Sequence, residues 1–134
     1  MTRTVARFLL AALLLVAGAA HLSTLRRGFR IVVPDWATRR LHTDKDTIVV
    51  VSGAAELALG AALVALPREQ RRVGVAAAAF FVAVFPGNIH QWRTRAAAPA
   101  LDTDARRFGR LFLQPLLVAW ALWCTTPRAG APRG

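Results

Sequence analysis

Cysteine occurs once in the 134 residues, as Cys124. A lone cysteine forms no intramolecular disulfide and no cysteine-rich metal centre, and it leaves the redox compartment open. Lysine is as scarce, with Lys45 alone, so the positive charge is almost all arginine: Lys plus Arg number 18 against 7 acids, a net charge of +11. Together with the abundance of alanine, this usage has the pattern of a GC-rich bacterial coding bias. No Gly-rich phosphate loop, CxxC pair, HExxH signature or nucleophile motif is present, so an independent enzyme is not expected. The basic residues form no stripe interleaved with stacking aromatics and match no nucleic-acid-binding module, so nucleic acid is not expected as a partner. The length allows one compact unit and no second domain.

What the chain has in excess is apolar residues, 55% of the total, beside that high net charge. The two agree if the apolar residues lie in lipid and the arginines lie in the connections, meeting anionic head groups. Crossing a hydrocarbon core of about 30 Å takes roughly 20 apolar residues as helix. Four runs qualify, giving helices over about 5–25, 48–66, 73–90 and 110–126. The runs are continuously apolar, without the alternation a membrane barrel needs. The expected fold class is all-α: an antiparallel four-helix integral membrane bundle, multi-pass in the bacterial plasma membrane, with both termini on one side. Between the first two helices, residues 26–47 mix Phe29, Ile31, Val32, Val33, Pro34 and Trp36 with charges, and read as an interfacial or re-entrant segment. The polar connection from Trp92 to Arg110 contains Pro99, Pro67 to Arg72 is a tight turn, and 127–134 read as a disordered tail. Counting Lys and Arg places the long connections inside; their density in the tight turn places that turn inside, and the orientation stays open. A rival reading of the first run is a cleaved signal peptide, with Arg3 and Arg7 as its charged region, Phe8 to Ala17 as its apolar region and Ala17-Gly18-Ala19 as the cleavage site.

In an antiparallel bundle the end of helix 1, the start of helix 2, the end of helix 3 and the start of helix 4 share one side. The polar residues fall there: His21, Ser52 and Glu56, Asn88 and His90, Arg110 and Gln114. The opposite half offers only Arg7 and Thr125/Thr126 near its edge. Glu56 lies about eight residues into its helix, roughly 12 Å along the axis, a depth at which a carboxylate faces the bundle interior. Ser52 and Gly60 stand four residues either side of it and predict an inward stripe. Its expected partner is His21 or Arg110, and a His21–Glu56 pair can share or relay a proton. The bland reading is a polar cluster that only locks helices together. His90 also reads as an interfacial neighbour of Trp92, and His42 as a solvated loop residue. Neither haem, with His21 and His90 as axial ligands, nor zinc on His21, His90 and Glu56 has spacing that specifies it, and no metal is expected. Ala79, Ala83 and Gly87 at four-residue spacing predict a small-residue packing face, with Phe80, Phe81 and Phe85 pointing elsewhere. Trp120 and Trp123 read as lipid-facing or interfacial aromatics, and Cys124 as a small apolar filler.

Several motifs in order carry a resemblance. Gly18-x-x-His21 closes helix 1, Ile31-Val32-Val33-Pro34 follows, and Ser52-Gly53-x-x-Glu56-Leu57 opens helix 2. Phe85-Pro86-Gly87-Asn88 closes helix 3 and Arg110-Leu111-x-x-Gln114 opens helix 4. The chain thus resembles the DoxX-like family of small bacterial membrane proteins from about residue 7 to 123. Gly87 stands where Ala is usual, Phe112 where the motif has Pro, and Leu22 where Phe is common. The resemblance implies a four-helix membrane bundle. Some relatives are named as the membrane subunit of a thiosulfate:quinone oxidoreductase and others are linked to thiol stress, which implies an accessory or quinone-interacting role in a redox system, with a redox protein as partner. In that role Glu56 and His21 manage protons, while Gln114 and Asn88 hydrogen-bond a carbonyl. The alternatives are a non-enzymatic scaffold, or a small-solute or proton carrier, the latter disfavoured by the apolar far half. Membrane lipid is an expected partner, and homo-oligomer formation is left open.

Overall fold

The computed structural model describes residues 1–23, 25–95, 103–127 and 130, and these are helical almost throughout. The long helices are α1 (Thr2–Leu22), α4 (Lys45–Ala65), α5 (Gln70–Thr94) and α6 (Asp104–Thr125). Between α1 and α4 lie two short helices, α2 (Arg26–Phe29) and α3 (Asp35–Leu41), joined by a 3-10 turn over Arg30–Val32. A second 3-10 turn, Pro67–Glu69, leads into α5.

Four helices are long and apolar enough to cross a membrane, and the distribution of side chains marks a membrane protein. Leu9, Leu13, Val16, Val51, Val64, Val75, Val82, Phe112, Leu113 and Leu116 all point outward and exposed. An apolar exterior over four helices is the surface that lipid, not water, stabilises.

Each helix buries one narrow stripe. In α4 the stripe is Val49, Gly53, Glu56, Gly60 and Leu63, steps of four and three that keep one face inward. The expected stripe through Glu56 and Gly60 is therefore present, with Ser52 half-buried at its edge. In α1 it is Arg7, Leu10, Ala11, Leu14 and Gly18. Gly60 packs against Ala11 and Leu15, and Gly53 against Gly18 and His21, so residue numbers rise along α1 as they fall along α4. α5 and α6 pair in the same sense: Gly74 meets Thr125, the Gln114 Nε2 amide donates to the Phe81 carbonyl at 2.8 Å, and Arg110 Nη1 donates to Gln91 Oε1 at 3.3 Å. The expected packing face of α5 is corrected. Ala79 and Ala83 are exposed, whereas Val73, Gly74, Ala77, Ala78 and Phe81 are buried. Four-residue spacing marked small residues but not which of the helix's small-residue stripes meets a neighbour, since alanines occupy both faces.

The two pairs meet most tightly at the end where α1 and α5 begin. There Trp120 Nε1 donates to the Ala6 carbonyl at 3.0 Å, Arg3 Nη1 to the Thr126 carbonyl at 3.0 Å and Arg7 Nη1 to Gln70 Oε1 at 2.6 Å. Trp120 is thus half-buried and bonded rather than lipid-facing, because its indole N–H finds a carbonyl on α1. Trp123 is exposed, with the Arg3 guanidinium 5.7 Å from its ring centroid. Cys124 is buried among the core residues.

Helix ends extend past the apolar runs, because capping side chains, not hydrophobicity, set them. The Asp44 carboxylate accepts from the Thr47 backbone N–H at 2.7 Å and starts α4 three residues before Ile48; Thr103 Oγ1 accepts from the Arg106 N–H at 3.3 Å and starts α6 well before Arg110. The Thr47 bonds hold the Asp44 carboxyl below the usual aspartate range. A lowered value means this cap is intact at neutral pH and above, and is lost only as acid titrates the carboxylate through that lowered value. A smaller hydrogen-exchange protection factor at the Thr47 amide is accordingly expected in Asp44→Ala at neutral pH, and in the unaltered chain only once acid has titrated the Asp44 carboxylate. Pro99 and nearly all of the tail over 127–134 lie outside the described residues.

Candidate functional site

The side of the molecule away from the termini holds the polar residues. His21 arrives on the last turn of α1 and Glu56 on the third turn of α4. The close approach of Gly18 and Gly53 brings them together, and His21 Nδ1 lies 2.6 Å from Glu56 Oε2. The same nitrogen lies 2.9 Å from the Ala17 carbonyl, within its own helix. The Phe29 ring packs on the imidazole with centroids 4.1 Å apart and shields the pair. Both side chains are mostly buried, 16% and 10% exposed. In such a setting an ion pair or a shared proton is poorly screened.

Two cavities flank the pair. One, of about 410 Å³, lies along the seam between α4 and α5 under the short helices; His21, Arg40, Ser52, Glu56, Asn88 and Arg110 are among its lining. The other, of about 680 Å³, lies along the seam between α1 and α6 and includes Gln114. His21, Phe29, Glu56, Phe80, Val84 and Arg110 border both. The rest of each wall is almost wholly apolar. Such cavities, concave and apolar with a few convergent polar groups, are in the size range of small-molecule sites.

Of the seven expected site residues, the structure brings six to these walls. They differ in what they have left to offer. Gln114 spends its amide N–H on the Phe81 carbonyl and pins α6 to α5. Arg110 reaches Gln91 and lies within electrostatic range of Glu56. Ser52 is half-buried in the wall. Asn88 is 3% exposed, and its Nδ2 donor has no hydrogen-bond partner. His90 is the exception: it borders neither cavity, is half-buried, and stands near Asp35 with its carbonyl taking the Thr94 hydroxyl at 2.8 Å. One helical step separates it from the inward face of Asn88 and Gln91.

The short helices are tied down over this side. Asp46 accepts from Arg26 and, at 2.6 Å, from Arg30 Nη2, while Lys45 Nζ meets Asp35 Oδ1 at 2.7 Å. Val33 and Pro34 are buried, and the Val32 carbonyl faces Gly87 of α5. These contacts tie the segment read from the sequence as interfacial or re-entrant, residues 26–47, to α4 and α5.

A family model described as a domain of unknown function (DUF8561) matches residues 10–125. The chain belongs to the DUF8561 family. The matched span includes both partners of the His21–Glu56 pair and every polar residue bordering the two cavities, so the site lies wholly within the DUF8561 domain. No curated protein and no solved structure matches the chain.

Sequence reasoning missed three contributors. Phe29 was placed in the connection without a role. Gln91, 1% exposed, lies three residues after Asn88 on the same face of α5. Arg107, 6% exposed and 2.6 Å from Asp104 Oδ1, lies three before Arg110. Helical spacing would have found both had the helices not been ended where the apolar runs end. Arg7, expected near the edge of the far half, donates there to Gln70 in a part-buried hydrogen bond. Among the described residues, no three His, Cys, Asp or Glu side chains gather as a metal site.

Proposed function

We propose that this DUF8561 protein is an antiparallel four-helix bundle of the bacterial plasma membrane that serves a redox system as an accessory subunit, binding a lipophilic carbonyl compound of the quinone class beside His21 and Glu56. The observation that carries this reading is the buried His21–Glu56 pair set between two apolar cavities. A quinone oxygen gains negative charge on reduction, and a carboxyl–imidazole pair at its side can release or recover the proton that balances it. The redox partner supplies the electrons. The resemblance to DoxX-like proteins, through Ser52-Gly53-x-x-Glu56 and Phe85-Pro86-x-Asn88, supports the same assignment. Retention of residues 1–20 is part of the reading, since Leu10, Ala11 and Leu14 belong to the core. The segment 26–41 lies at the interface in this arrangement, with Trp36 and Leu41 toward lipid.

The test is binding of decylubiquinone to the full chain in nanodiscs, followed across pH. Saturable binding is expected, with a pH dependence that Glu56→Gln removes. No saturable binding to the unaltered chain sinks the proposal. The scaffold reading has one observation in its favour, the use of Gln114 and Arg110 as helix-to-helix ties. It predicts that Glu56→Gln changes thermal stability and nothing else.

A further inference from the structure

The two cavities share the His21–Glu56 pair but are chemically unequal, and the inequality distinguishes a ligand chamber from a packing defect. In the larger cavity the amide that borders it, Gln114, is already bonded to the Phe81 carbonyl. The smaller cavity has Asn88, a residue 97% out of contact with solvent whose amide nitrogen has no partner. A buried donor left without an acceptor is destabilising, the more so in lipid, where water cannot compensate. The nitrogen is covered within the chamber wall, and an oxygen acceptor that it meets as the side chain turns toward the chamber removes that cost. Arg40, Ser52 and Arg110 border the same chamber and carry donors for an oxygen, and Glu56 is paired with His21.

The mouth of this chamber opens on lipid, as the larger cavity does at Leu13 and Leu113. Val51 on α4 and Ala83 on α5 border it and are exposed on the outer surface of the helices. They belong to the lipid-facing belt, Val51 about a third of the way along α4 and Ala83 about midway along α5, both helices long enough to span. Trp36, Arg40 and Leu41 of α3 border it at the end near the head groups, and they too are exposed. The chamber is thus polar at its depth, apolar in its walls and open along a seam that faces hydrocarbon.

Resting on the quinone reading above, we propose that the smaller cavity alone is the ligand chamber: a lipid-soluble carbonyl compound reaches it sideways from the bilayer between α4 and α5, and its oxygen accepts the Asn88 amide N–H beside the His21–Glu56 pair. The larger cavity takes no part in binding. The ligand's ring occupies the chamber and its apolar tail stays in the seam, so a molecule confined to water does not compete for it.

Decylubiquinone binding to nanodiscs, read by saturable quenching of tryptophan emission, tests this with three variants. Ala83→Trp narrows the seam from an exposed position and leaves the core alone. Asn88→Leu removes the donor at similar volume. Leu113→Trp, also from an exposed position, crowds the larger cavity. Ala83→Trp and Asn88→Leu are each expected to weaken binding about tenfold or more, the worth of one buried hydrogen bond or of lost access, and Leu113→Trp to leave it unchanged. Melting curves of each variant establish that it is folded; should Asn88→Leu not fold, the comparison of the two tryptophan variants decides alone. Loss of binding in Leu113→Trp with retention in Ala83→Trp overturns the assignment of the chamber while leaving the quinone reading intact. Absence of binding in the unaltered chain overturns both.

Discussion

Gly18→Leu is expected to cost more than about 3 kcal/mol and to abolish the His21–Glu56 contact. A Cβ at position 18 would stand 2.7 Å from the Gly53 carbonyl oxygen and 3.0 Å from the Leu57 backbone nitrogen. Those are backbone atoms of α4, which no rotamer change can move, so the helices must separate. Overpacking of this kind costs about 1–3 kcal/mol by itself. In lipid, helices gain little from burying apolar surface and are held by close van der Waals contact, so the loss is not offset elsewhere. The separation also acts at a distance of one turn. His21 follows Gly18 on α1 and Glu56 follows Gly53 on α4, so pushing the backbones apart at the crossing opens the 2.6 Å pair. Unfolding of the purified variant by denaturant in mild detergent measures the stability. Gly109→Leu, at a position where an added Cβ meets nothing within 4 Å, serves as the control and is expected to be near neutral. Equal stability of the two variants would refute this account of the α1–α4 interface.

His21→Leu is expected to destabilise by about 3–5 kcal/mol, and His21→Leu with Glu56→Leu together to recover most of that loss. The single change leaves a carboxyl group, 10% exposed, without its closest partner in an apolar wall. Breaking one half of a buried pair leaves the other half's desolvation uncompensated, whereas replacing both halves by apolar groups removes the penalty altogether. The recovery in the double variant separates an electrostatic cost from a simple packing cost, since two leucines fill the site no better than one unless charge is the problem. Chemical unfolding of the three variants in the same detergent measures it. A double variant less stable than His21→Leu would show that the pair stabilises the bundle beyond its own neutralisation.

The same variants bear on function differently from Glu56→Gln. Leucine at both positions is expected to give a folded protein that cannot manage a proton, the combination needed to separate a chemical role from a structural one. A scaffold survives that exchange; an accessory to quinone chemistry does not.

The sequence by itself determined that the chain has four apolar helices of spanning length, that its arginines gather in the connections, and that His21, Ser52, Glu56, Asn88, Arg110 and Gln114 fall in one half of the molecule. These follow from composition and from runs along the chain, which depend on no partner. It also determined that Glu56 faces inward and that His21 was a candidate to meet it, because a carboxylate at that depth in lipid has few alternatives. Only the tertiary structure decided which face of α5 packs, since alanines line both faces and spacing does not choose between them. It decided where α4 and α6 begin, because caps at Asp44 and Thr103 act through single hydrogen bonds that hydropathy does not register. It also decided how the polar residues divide their work. Gln114 and Asn88 are both amides set in cavity walls, and nothing in their sequence surroundings separates them. One has a backbone carbonyl within reach and the other does not, and that difference exists only once α5 and α6 are packed together.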